Sequence, residues 1–170
     1  AHESETSEAI NTGHENKVFL PNSPLDPNIR ATTSLEDAVE DADAILMVTP
    51  AQFLRPTLTQ IAETKLDPVP IVICAKGIEL DTGLLMNEVA ETAAPNAMRA
   101  VLSGPTFAAE VARGLPTAVT LACANDTLAT MLAKTLGTPS FRPYTSSDLV
   151  GADVGGAIKT VIAIACVVVD

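Results

Sequence analysis

The chain has 170 residues, 47% of them hydrophobic, which is enough to bury one substantial core and too little for two. Ten Lys and Arg stand against 21 Asp and Glu, and the resulting net charge of −11 repels polyanions, so neither nucleic acid nor an anionic membrane surface is an expected partner. A small phosphorylated ligand stays open, because its site needs only a few local cations and aligned backbone N–H groups.

Residues 1 to 33 are polar and rich in turn formers, with Pro21, Pro24 and Pro27 closely spaced. A short helix is expected near Thr6 to Asn16, with mostly extended loop after it. Ser34 is placed to cap a helix running through Asp41, and Ala44-Ile45-Leu46-Met47-Val48 has the length and composition of a buried strand. The next helical pattern runs from Phe53 to Thr64, where Pro56 is tolerable only in the first turn. The alternation then repeats. Strand Ile71 to Cys74 leads to a helix from Leu84 to Ala93, and strand Ala100 to Ser103 to a helix from Thr106 to Arg113. Strand Ala118 to Ala122, a helix from Asp126 to Leu136, strand Phe141 to Tyr144 and a final helix through Lys159 complete the pattern. Apolar strands spaced by amphipathic helices predict an α/β fold, doubly wound, with a mainly parallel sheet covered on both faces.

Cys74, Cys123 and Cys166 are odd in number, far apart and set in apolar runs, which reads as buried thiols of a reducing compartment. No pair has CxxC spacing and the two histidines, His2 and His14, lie far from them in sequence, so no metal site is expected. The longest apolar stretch, Val161 to Val169, is too short to cross a bilayer, and Ala1 to Glu5 lacks the basic and apolar regions of a signal peptide. A cytoplasmic protein without membrane insertion is expected.

In open α/β sheets, ligands bind outside the carboxyl ends of the strands. That rule selects Thr49-Pro50-Ala51-Gln52-Phe53, Ala75-Lys76-Gly77 and Ser103-Gly104-Pro105-Thr106, which share one edge if their strands are parallel neighbours. Lys76 follows a buried strand and precedes a glycine that lets backbone approach a ligand; a solvent-facing loop lysine is the plainer alternative. Ser103 to Thr106 sits where a strand turns into a helix, whose free N–H groups attract phosphate or carboxylate, or it is an ordinary capped turn. Lys159 is the only charge between Asp153 and Asp170. On a helix entering an apolar core its pKa is expected to fall towards neutrality, unless the amine snorkels to water. The acidic cluster Glu36-Asp37, Glu40-Asp41 and Asp43 reads as a solvated helix face. The nine glycines include no GxGxxG, so the first βαβ unit of a dinucleotide fold is expected to be missing.

Several segments together resemble the bacterial NAD(P)-dependent sn-glycerol-3-phosphate dehydrogenases. They are Ala9-Ile10-Asn11 with His14-Glu15-Asn16, Phe19-Leu20-Pro21, Lys76-Gly77-Ile78-Glu79 and Thr82-Gly83-Leu84, then the run Val101 to Ala122, Phe141-Arg142-Pro143-Tyr144 and Gly155-Gly156-Ala157-Ile158-Lys159. The resemblance implies a Rossmann-like sheet, incomplete here: residues 1–145 would be the remainder of the dinucleotide-binding domain, and residues 146–170 the first helix of a helical substrate domain. It implies interconversion of dihydroxyacetone phosphate and glycerol 3-phosphate with NADP or NAD, feeding glycerophospholipid synthesis. Lys159 matches the catalytic lysine. Lys76 matches the lysine between cofactor and substrate, Gly104 and Thr106 match substrate contacts, and His2, Phe53 and Ala108 match cofactor contacts. Thr160 stands where the family carries asparagine and Val167 where it favours glycine. Two other readings stay open: a non-catalytic fragment or binding module derived from this family, or another dehydrogenase pairing a Rossmann domain with a helical one, such as a ketopantoate reductase. An exposed sheet edge and an unpaired apolar C-terminal helix favour association, leaving a homodimer open.

Overall fold

The computed structural model describes residues 4–64 and 69–168, with the backbone alone described at 160, 167 and 168. The chain opens with α1 (Ser4–Gly13), which ends where His14 takes a left-handed φ of 49°. Beyond it, where extended loop was expected, β1 (Glu15–Asn16) and β2 (Leu20–Pro24) form a small antiparallel hairpin. The prolines do not prevent it, because the ladder is short and has no further strand to serve.

Ser34 caps α2 (Leu35–Val39) as the sequence predicts, its Oγ accepting from Asp37 N at 3.1 Å. The carboxylates of Glu36, Asp37, Glu40, Asp41 and Asp43 all belong to exposed residues. Next come β3 (Ile45–Met47), a 3-10 turn (Ala51–Phe53) and α3 (Leu54–Glu63). Pro56 lies in the first turn of α3, where an N–H has no helical partner to lose. The pattern continues with β4 (Ile71–Ile73), α4 (Met86–Ala93), β5 (Arg99–Ser103), the short α5 (Ala108–Ala112), β6 (Thr117–Ala122), α6 (Asp126–Leu136), β7 (Phe141–Ser146) and the long α7 (Leu149–Val168).

The five larger strands form one sheet in the order β3-β4-β5-β6-β7. Every pairing is parallel except β5 with β6. The reversal follows from the connection: α5 is only five residues long and packs against β2, so it does not lie over the sheet as a crossover helix would. Pro143 is accommodated because β7 is an edge strand of this sheet.

Alternation along the strands builds two cores. Ile71, Ile73, Val101 and Ala122 face Leu54, Leu58 and Ile61 of α3 and Met86, Val89 and Ala90 of α4, whereas Val72, Ala100, Leu121 and Cys123 face Leu128, Ala129 and Leu132 of α6. β4 is buried on both sides, which is why it reads as a continuous apolar run. Burying a side chain such as Leu54 or Leu58 contributes about 2 kcal/mol. Helix α7 packs across β5 and β6 and against α4, so its first turns lie on the sheet.

Candidate active site

The carboxyl ends of β3, β4 and β5 are parallel neighbours and present the three selected segments on one edge. Lys76 is the first long polar side chain beyond buried β4, and its Nζ reaches across to donate to Gly104 O, at the end of β5, at 2.8 Å. The same carbonyl accepts from Thr106 N at 3.0 Å. The helix expected to start at Thr106 starts at Ala108 instead, and the Thr106 N–H is spent inside the turn rather than offered to a ligand. Gly104 is required by space: a Cβ there would lie 2.8 Å from Val119 Cγ1 and 3.1 Å from Ala118 O.

The fourth wall comes from α7. Asp148 caps it, Oδ1 accepting from Gly151 N at 2.8 Å, and Asp153 pins it to α4, Oδ2 accepting from Asn87 N at 2.7 Å. Ala152, Gly155, Gly156 and Lys159 then share one helical face and line a groove with Lys76, Ser103 and Gly104. Gly156 allows the close approach, since a Cβ at that position would meet Ser103 Oγ at 2.9 Å and Lys76 Cγ at 3.4 Å.

Two ammonium groups therefore converge on one groove in an acidic protein, and among the described residues neither makes a salt bridge. Desolvation holds the Lys76 pKa below the usual lysine range, and repulsion from Lys159 lowers it further. Cys74, behind Lys76, is pushed up to about 11 by burial, against the pull of the Lys76 charge. It is a half-buried neutral thiol at physiological pH. Asp153 is 3% exposed and its pKa is raised by burial, opposed by the Asn87 N–H and supported by the nearby Glu88 carboxylate.

The structure brings Lys76, Gly104 and Lys159 together, and leaves Thr106, Phe53 and Ala108 outside that groove. Phe53 is 59% exposed at the end of the 3-10 turn, and Ala108 is an exposed first residue of α5. His2 lies outside the described residues. Of the two settings open to Lys159, the structure has the one in which the amine reaches water. It is exposed, and the apolar residues Val161, Ile162 and Ile164 that follow it are exposed as well, because beyond its first turns α7 runs past the sheet. Cys166 is exposed for the same reason, whereas Cys123 is buried. Sequence reading selected the segment holding Gln52 without giving that residue a role, and passed over Asp153 and Arg55. A carboxylate inside an otherwise apolar helix was the available signal for Asp153, and a guanidinium at the start of the helix that follows β3 was the signal for Arg55.

Residues 1–129 match the family described as NAD-dependent glycerol-3-phosphate dehydrogenase N-terminus. This chain belongs to that family. Among glycerol-3-phosphate dehydrogenases [NAD(P)+], it is 56% identical to that of Parvibaculum lavamentivorans and 55% identical to that of Rhodospirillum rubrum, in each case over the whole of this chain. It covers 51% and 49% of those proteins, so the chain spans about half the length of the curated relatives it matches. The crystal structure of glycerol-3-phosphate dehydrogenase from Coxiella burnetii superposes with a TM-score of 0.89 at 31% identity, over 96% of this chain and 50% of that one. The Rossmann-like, mainly parallel sheet is therefore that of the glycerol-3-phosphate dehydrogenase family.

Proposed function

We propose that this chain is the central part of an oxidoreductase that interconverts dihydroxyacetone phosphate and sn-glycerol 3-phosphate with NADP or NAD. Residues 1–145 serve as the remainder of its dinucleotide-binding domain, and residues 146–170 open its helical substrate domain. The observation that carries this reading is the convergence of Lys76 and Lys159, without carboxylate partners among the described residues, on a groove made by Gly104 and Gly156. A chain of net charge −11 that gathers two cations over a glycine-lined sheet edge is suited to a small anion.

The cofactor side fits a dinucleotide in part. Thr49 Oγ1 is buried at the end of β3 without a hydrogen-bond partner among the described residues, and exposed Phe53 follows it. In this reading Phe53, Ala108, Lys76 and His2 hold the cofactor, which when bound supplies a hydride to the substrate carbonyl carbon. Gly104, Thr106 and Lys76 hold the substrate. Negative charge grows on the carbonyl oxygen as the carbon is reduced, and Lys159 stabilises that charge and gives up its Nζ proton to the oxygen. In the reverse direction Lys159 takes the hydroxyl proton. Lys76 keeps the groove positive throughout.

The product suits glycerophospholipid synthesis. The cytoplasm is the proposed location, supported by free Cys74, Cys123 and Cys166 and by the finding that no described helix is long and apolar enough to cross a membrane. The net charge argues against nucleic acid and membrane surfaces as partners, and the exposed apolar residues of α7 support association, a homodimer included.

The test is turnover by the longest natural product that contains this chain. In it, Lys159→Met is expected to abolish reduction of dihydroxyacetone phosphate while cofactor binding, read by fluorescence of the reduced nicotinamide, stays close to that of the parent. Turnover retained in Lys159→Met would remove Lys159 from its role. An inactive parent would leave the reading as ancestry alone.

A further inference from the structure

The loop that carries Lys76 is gripped by the turn that opens α3. Gly77 has φ +144°, a backbone conformation that L side chains rarely adopt, and a Cβ there would lie 2.9 Å from the Cβ of Ala51. Gln52 uses both ends of its amide on the loop backbone: Nε2 donates to Ile78 O at 2.9 Å, and Oε1 accepts from Leu80 N at 3.0 Å. Arg55 forks onto Glu79, Nε to Oε1 at 2.9 Å and Nη2 to Oε2 at 2.8 Å, while its Nη1 donates to Thr92 Oγ1 of α4 at 2.8 Å. Thr82 Oγ1 donates to Glu79 Oε2 at 2.5 Å and closes the loop on itself. Three successive loop residues are thus each held by Gln52 or Arg55.

Stability alone is a poor account of this arrangement. Glu79 is 8% exposed but a third of the Arg55 side chain remains in water, and a partly exposed ion pair adds little to stability. A bidentate fork supplies orientation instead. Lys76 stands two residues before the held segment, and its Nζ reaches from the end of β4 to Gly104 O.

We propose that Gln52 and Arg55 are positioning residues that clamp Ile78, Glu79 and Leu80 and thereby hold Lys76 on Gly104 O, facing Lys159. The clamp belongs to the same turn as Phe53, so the proposed cofactor and substrate sides share one rigid piece. The inference deepens the reductase reading and takes from it the role of Lys76, but its first test needs no turnover.

Lys76 is exposed but faces Lys159 and Cys74, and its pKa is lowered, first by the partial desolvation of its ammonium on Gly104 O and then by repulsion from Lys159. Releasing the loop lets the ammonium leave Gly104 O and move away from Lys159, which removes the remaining desolvation and the repulsion and raises that pKa. The experiment is competitive acetylation by trace acetic anhydride from neutral to alkaline pH, on the parent chain and on Gln52→Met, Arg55→Lys and Glu79→Gln. Peptide mass spectrometry reads Lys76, with Lys134 and Lys17 as internal references. The expected result is an upward move of the Lys76 titration in all three variants, with the references unmoved. In the longer product the same variants are expected to lower kcat about 10- to 100-fold, with the cofactor KM unchanged.

An unchanged Lys76 profile in Gln52→Met, which keeps both the ion pair and the core, would overturn the proposal. So would an Arg55→Lys profile like that of the parent, because charge without the fork would then suffice. If Lys76 does not move while the longer product still reduces dihydroxyacetone phosphate, the clamp fails and the reductase reading stands. If Lys76 moves and the longer product is inactive, the clamp stands without that reaction.

Discussion

At the scale of single residues, the site is made by glycines as much as by lysines. Gly104 and Gly155 illustrate how differently two glycines behave. At Gly104 an added methyl meets backbone, Ala118 O at 3.1 Å and Val119 Cα at 3.2 Å, as well as the Val119 side chain. Backbone in a paired strand cannot step aside cheaply, so Gly104→Ala is expected to lose about 1–3 kcal/mol and to displace the carbonyl that holds Lys76. At Gly155 nothing lies within 4 Å of an added Cβ. There the better helix propensity of alanine decides, and Gly155→Ala is expected to gain about 0.5–1 kcal/mol. Urea unfolding of the two variants checks both signs. Equal losses would mean that the face of α7 is tighter than its contacts imply.

At the scale of elements, the orientation of α7 determines where Lys159 stands, and Asp153 is its link to α4. The carboxylate accepts from the first turn of α4, where N–H groups have no helical partner, and it remains buried while doing so. Asp153→Ala is expected to cost about 1–3 kcal/mol by leaving the Asn87 N–H unpaired, measured as a lower denaturant midpoint. Its pH dependence has a definite sign. The folded pKa lies above the ordinary 3.8, so between 3.8 and that raised value the folded state binds more protons than the unfolded one. Stability then declines as pH rises through that window, and the burial penalty is fully present above it. Asp153→Asn is expected to remove this slope, and a slope that survives the substitution would have to come from another carboxylate. The same scale explains the clamp: Gln52 and Arg55 lie on one short stretch, and between them they reach a loop and a neighbouring helix.

At the scale of the whole molecule, apolar surface is distributed unevenly. The sheet is covered by α3 and α4 on one face and α6 on the other, but Val161, Ile162 and Ile164 of α7 are 66%, 53% and 60% exposed. Clustered apolar exposure of this kind promotes association even in a chain of net charge −11. The chain by itself is expected to self-associate in sedimentation experiments, and Val161→Glu with Ile164→Glu to render it monomeric. A monomeric parent would show that charge repulsion outweighs the apolar stripe.

What the sequence determined by itself was local or periodic. Run lengths of Ile, Val and Leu marked the strands, Ser34 and Pro56 marked helix starts, and the rule of strand carboxyl ends selected Lys76 and Gly104. The family was legible in the same way, because its motifs are contiguous. The tertiary structure alone decided the antiparallel entry of β6, the hairpin after α1, the exposure of Lys159 and the grip of Gln52 and Arg55 on the lysine loop. Each of these depends on which distant segment lies alongside. A strand can pair in either direction with the same residues, and a lysine followed by apolar residues is buried only if another surface covers that stretch of helix. An arginine finds its carboxylate 24 positions away through the packing of α3 beside the β4 loop, a relation that neither hydrophobic period nor spacing encodes.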